Sequence, residues 1–112
     1  MQEIINFRDE RDWEKFHNIK DLSIGLNIET SELMELFLWK NNDEIDQLIL
    51  NPEYKQKINE ELADILIYSL LISHKLSINL NEIIINKLKI NAIKYPINKS
   101  KGIAKKYSDL VK

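Results

Sequence analysis

An all-α fold is what this 112-residue chain predicts, on three observations. Two glycines and two prolines are too few for the hairpins and tight turns of a β protein. Apolar residues recur at helical spacing: at about 100° per residue, Leu22, Leu26, Leu33 and Leu36 fall within roughly 40° of one line. Asparagines also stand where helices should begin, Asn51 just before Pro52 and Asn79 three residues before Glu82. The expected architecture is four-helix-bundle-like, in one domain over residues 1–112 with a basic tail from about residue 97.

The first helix is expected from Gln2 to about Arg11, with Ile4, Ile5 and Phe7 inward. Asp12–Asn18 follows as a loop or helix end, where Trp13 and Phe16 are either packing residues or a flat surface on which a base can stack. His17 there reads as a surface residue or a ligand. The second helix is expected from an N-cap at Asp21 to Trp39, then a loop at 41–44 and a short helical turn at Glu44–Leu50.

Asn51 caps the third helix, which should extend to about Leu76 and is nearly apolar all round beyond Glu61. Three other helices cannot cover such a surface in so small a protein, so a homo-oligomer is expected, with Ile67, Leu70 and Leu71 at the interface. His74, near its end, should face solvent. The fourth helix opens at Asn79 and closes at Pro96, with Lys87, Asn91 and Tyr95 along one polar face.

Composition excludes several chemistries. With no cysteine, disulfides, thiolate zinc sites and a cysteine nucleophile are ruled out. The apolar run Ile65–Ile72 falls far short of the ~20 residues of a membrane span. A soluble, cytoplasmic protein with no membrane partner is expected. The formal charge is −2, and no nucleic-acid motif accompanies the lysines gathered toward the C-terminus, so nucleic acid is not an expected partner. Those lysines form a solvated face or suit a polyphosphate ligand.

The informative conflict is acidic. Glu29 lies in the middle of the leucine stripe of the second helix, with Glu32 at its edge. Glu61 and Asp64 repeat the three-residue spacing on the third helix, where Asp64 is the only charge between Leu62 and Ser73. An unpaired carboxylate removed from water costs several kcal/mol, against a net stability of about 5–15 kcal/mol. Either the helices turn these acids to solvent or a cation neutralises them. An all-oxygen set suits Mg²⁺, with Mn²⁺ the alternative.

These residues, Glu29-Thr-Ser-Glu32 and, after a spacer, Glu61-Leu-Ala-Asp64, resemble the acidic signature of the MazG-type all-α nucleoside triphosphate pyrophosphohydrolases. Further landmarks are similar to the short dCTP pyrophosphatase branch: Glu10-Arg-Asp-Trp-Glu-Lys-Phe-His17, Glu35-Leu-Phe-Leu-Trp-Lys40, Lys87-x3-Asn91-x3-Tyr95-Pro96 and Lys105-Lys-Tyr107. The resemblance implies Glu29, Glu32, Glu61 and Asp64 as Mg²⁺ ligands that carry catalysis through metal and water. It implies Trp13, His17 and Trp39 around base and sugar, and Tyr68, Lys87 and Asn91 facing the nucleotide, with Lys87 on phosphate. It further implies hydrolysis of a (d)NTP, dCTP-like, to (d)NMP and pyrophosphate, in a dimer or tetramer whose neighbouring subunits complete the pocket. Two departures bear on base selectivity: Ile4 stands where that branch has a substrate-facing His, and Ile28 replaces a doubled Glu.

Three rival readings follow from the residues. A di-iron carboxylate bundle wants Glu-x-x-His pairs, and the only such spacing is Glu14–His17, outside the main helices. A non-catalytic helical interaction module explains the apolar third helix but not Glu29 and Asp64 in apolar stripes. A nucleic-acid binder has only the basic tail.

Overall fold

A computed structural model describes residues 1–110, apart from the side chains of Tyr107 and Leu110, and among them every regular element is helical. The elements are α1 (Gln2–Glu10), a 3₁₀ turn (Glu14–Phe16), α2 (Ile19–Glu35), α3 (Asn42–Leu48), α4 (Pro52–Lys75), α5 (Leu80–Lys94), α6 (Ile97–Ser100) and α7 (Tyr107–Leu110). The chain divides into two compact units, Met1–Ser77 and Ile78–Lys112.

Asparagine side chains start four of these helices. Asn41 accepts from Glu44 N, Asn51 from Glu53 N and Asn79 from Glu82 N, each satisfying an amide that the first helical turn leaves without a partner. Asn18 does the same for α2, three residues before the expected cap. Its Oδ1 accepts from Asp21 N at 2.8 Å while its Nδ2 donates to Asp21 Oδ2 at 2.7 Å, a reciprocal capping pair that makes Asp21 the third helical residue.

The far end of α2 also departs from expectation, with Glu35 rather than Trp39 as its last residue. The Tyr54 hydroxyl, from α4, donates to the Leu36 carbonyl. That carbonyl would accept from Lys40 N in a continued helix; Lys40 N bonds to Phe37 O instead, at 3.2 Å. The chain then leaves through Trp39 at φ 62°, a left-handed conformation that costs a side-chain-bearing residue roughly 1–2 kcal/mol.

In the first unit α2 packs along α4, and α1 lies against α4. Ile5, Leu22 and Leu71 form the buried core, joined by Ile4, Ile19, Tyr68 and Ile72. Gly25 permits the close approach of the two long helices. A Cβ there would stand 2.7 Å from Tyr68 Cζ, well inside van der Waals contact. Leu71 is therefore a core residue of its own chain rather than an interface residue, while Ile67 is part-exposed.

The second unit begins with α5, which buries no residue and exposes Ile84, Leu88 and Ile93. Tyr95 and Pro96 end it. The expected tail carries two short helices, α6 and α7, with Gly102 at φ 79° between them; residues 111–112 of that tail lie outside the described residues. No described helix is long and apolar enough to cross a membrane.

Candidate active site

The three-residue spacing places Glu29 and Glu32 on one face of α2, and Glu61 and Asp64 on one face of α4. Packing of α2 on α4 brings one oxygen from each of Glu29, Glu32 and Glu61 within 4.8 Å of the others. All three side chains are half-buried. Glu29 Oε2 and Glu61 Oε2 are sealed from water and have no hydrogen-bond partner.

Three negative groups this close resist simultaneous ionisation. Burial pushes the Glu29 carboxyl up from 4.5 to about 7, helped by the adjoining Glu32 carboxyl and then by the charges of Asp64 and Glu61. Glu61 is raised for the same reasons in the same order: burial, the adjoining Glu32 carboxyl, then the remaining negative neighbours. Oxygen donors alone, at this separation and short of protons to share, make a set that fits a hard divalent cation.

Asp64 is exposed and lies outside this trio. One turn beyond Glu61, it lines the cleft together with Glu29, and its charge acts on both Glu29 and Glu61. No histidine among the described residues joins the acid cluster, which leaves the Glu14–His17 pair without the iron-site geometry it would need.

The cleft beside the acids has a volume of about 420 Å³, within the range of small-molecule sites. Glu29 and Asp64 border one end of it; Trp13, His17 and Tyr68 line it, together with Phe7, Arg8 and Ile4 of α1. The Phe7 and Trp13 rings meet edge to face at 5.8 Å, and the Arg11 guanidinium lies 3.6 Å from the Phe7 centroid, which steadies this wall. Phe7 thus faces the cleft with half its surface exposed rather than turning into the core. His17 Nδ1 is buried without a hydrogen-bond partner, and burial, then the charges of Arg8 and Lys75, holds the imidazole below its usual range, so it is neutral at pH 7.

The expected site residues are brought together unevenly. Trp13, His17, Tyr68, Glu29 and Asp64 share the cleft, and Glu32 and Glu61 complete the acid cluster. Trp39 does not line it and is 93% exposed. Lys87 and Asn91 belong to α5 in the second unit, Lys87 exposed and Asn91 half-buried. Glu35 is solvated. Arg8 was missed by sequence reasoning, although it sits three residues after Ile5 on the buried face of α1 and carries the same signal that singles out Glu29, a charge in an apolar stripe.

Comparison with known proteins agrees with the fold. The model of the MazG-like family matches residues 24–110. The chain is 38% identical over 104 residues to dCTP pyrophosphatase 1 of Mus musculus and 35% identical to that of Homo sapiens, covering 93% of its own length in both. It spans about 61% of the length of these relatives. A pyrophosphatase from Archaeoglobus fulgidus shares the fold with a TM-score of 0.78 at 36% identity, covering 85% of this chain and 87% of that one. This chain belongs to the MazG-like family.

Proposed function

We propose that the chain is a nucleotide pyrophosphohydrolase that cleaves a (d)NTP between the α and β phosphates, releasing (d)NMP and pyrophosphate, with dCTP or a close analogue as substrate. The reading is carried by one juxtaposition: two sealed, unpartnered carboxylate oxygens of the acid cluster beside a cleft of nucleoside size. The names of the mouse, human and archaeal relatives point the same way.

In this reading Glu29, Glu32, Glu61 and Asp64 hold Mg²⁺, or Mn²⁺ in its place. When bound, the cation supplies positive charge to the polyphosphate and to the departing pyrophosphate. Trp13 gives the base a stacking face, and Tyr68 and His17 offer polar atoms to base or sugar. A carboxylate of the cluster orients the water that attacks the α-phosphorus in line. Lys87 and Asn91 are assigned to the nucleotide, Lys87 on phosphate, and Trp39 to the base, all three by family resemblance. Residues 1–112 act as one MazG-like domain, and the substrate is drawn from the cytoplasmic nucleotide pool.

Self-association is part of the proposal. A buried core of Ile5, Leu22 and Leu71 contributes under about 10 kcal/mol at 1.5–3 kcal/mol per side chain, little against the ordering of so many residues. The exposed Ile84, Leu88 and Ile93 of α5, with Trp39, supply apolar surface for a dimer or tetramer. The same surface is what a helical interaction module would use, but such a module has no use for the acid cluster.

Incubation with the common (d)NTPs and Mg²⁺ tests the activity. Release of pyrophosphate and nucleoside monophosphate in equal amounts is the expected result. Orthophosphate alone would place cleavage elsewhere, and no release from any substrate would leave the interaction module as the better reading.

A further inference from the structure

Arg8 is the buried charge of α1, its side chain 9% exposed, and it lines the cleft among Trp13, His17 and Tyr68. Its Nε donates to Asp9 Oδ1 at 2.9 Å, and Nη2 lies 2.7 Å from Asp9 Oδ1 and 3.7 Å from Glu14 Oε2. Nη1 has no hydrogen-bond partner among the described residues. Two carboxylates therefore already balance the guanidinium, which makes it a poor receptor for a further anion such as phosphate. What remains is a fixed, directional pair of N–H donors in a cleft walled by aromatic rings.

We propose that Arg8 is a specificity residue, Nη1 and the outer N–H of Nη2, which Asp9 leaves free, donating side by side to adjacent acceptors on the edge of a nucleobase held in this cleft. Guanidinium has donors only, so its complement must present acceptors. Cytosine offers O2 and N3 side by side. Adenine sets each acceptor on its amino-bearing edge beside that donor group, which would oppose the guanidinium. The cleft thus favours cytosine over adenine, and Asp9 and Glu14 act as positioning residues that hold the fork.

This inference rests on the nucleotide reading of the site, and its test separates the two. Steady-state hydrolysis of dCTP and dATP is compared for the wild type, Arg8→Met and Arg8→Lys, with binding of dCMP and dAMP by calorimetry alongside. A hydrogen bond to a charged donor predicts that Arg8→Met lowers kcat/KM for dCTP ~10- to 100-fold, mainly through KM, and leaves dATP within about 3-fold. Arg8→Lys, which keeps the charge and the ion pairs but not the planar fork, should lose part of the preference for dCMP over dAMP and guards against misfolding of the Met variant. Equal losses on both nucleotides, or none, would overturn the role of Arg8. A wild type that cleaves neither triphosphate would defeat the hydrolase reading, while the dCMP and dAMP affinities of wild type and Arg8→Lys would still decide this one.

Discussion

The two ends of the cleft handle buried polarity in opposite ways. At the acid end, Glu29, Glu32 and Glu61 crowd like charges together, and two of their oxygens lack any partner. At the aromatic end Arg8 is balanced by Asp9 and Glu14, and His17 is kept neutral. The acid end crowds like charge in a set compatible with a divalent cation; the aromatic end is already neutralised and offers hydrogen bonds and ring faces. In the proposed reading, the acids hold the cation and the aromatic wall holds the base.

The largest effect should come from attacking the acid end. Glu29→Gln and Glu61→Gln are each expected to cut pyrophosphate release by more than about 100-fold, since even residues behind a metal's ligands cost 10–100-fold when lost. In EDTA the same variants should melt at or above the wild type, because each removes a half-buried charge that lacks a counter-ion. Asp64→Asn should depart from that pattern: activity falls, but the metal-free melting temperature stays put, since Asp64 is exposed. Identical melting shifts for Glu29→Gln and Asp64→Asn would erase the distinction between sealed and open acids.

At the aromatic end Trp13→Ala is expected to raise KM roughly 5- to 100-fold, the range of one lost base stack, with the Mg²⁺ dependence unmoved. A parallel loss of metal affinity would show that the two ends are not separable. Gly25→Val, at the α2–α4 contact against Tyr68, should cost about 1–3 kcal/mol and lower the melting temperature accordingly. Adding Tyr68→Ala should recover most of that loss; no recovery would mean that Tyr68 is not what the new side chain strikes.

The acid end is legible in the sequence, as are Trp13, His17 and Tyr68 at the aromatic end, whereas the places of Phe7 and Arg8 are not, for physical reasons. Glu29 and Glu61 lie within long helices, whose period places residues three apart on one face whatever surrounds them. Asp64 obeys the same period, but how far its side chain is covered depends on the packing around it, which no local pattern records. Asn18 and Asp21 are both good caps at a three-residue spacing, and Asn18 wins because Asp21 can serve it from inside the helix. The early end of α2 is caused by Tyr54, a residue 18 positions away from Leu36. The aromatic wall is assembled from a nine-residue helix and a three-residue 3₁₀ turn, elements too short for periodicity to orient. That is why Phe7 was expected inside and Arg8 was overlooked.

The central claim is that the acid cluster is tolerable near neutral pH only with a divalent cation, and thermal melting against pH tests it. Glu29 titrates near 7 when folded and 4.5 when unfolded, so between those values the metal-free native state binds more protons and loses stability as pH rises. His17, with its pKa lowered, works in the opposite direction, so the difference between wild type and Glu29→Gln isolates the acid. In EDTA, raising the pH from 5 to 7.5 should lower the melting temperature of the wild type more than that of Glu29→Gln. Mg²⁺ should restore the wild type at pH 7.5, by about 2.7 kcal/mol at a hundredfold excess over Kd. A melting temperature indifferent to Mg²⁺ at both pH values would contradict the account.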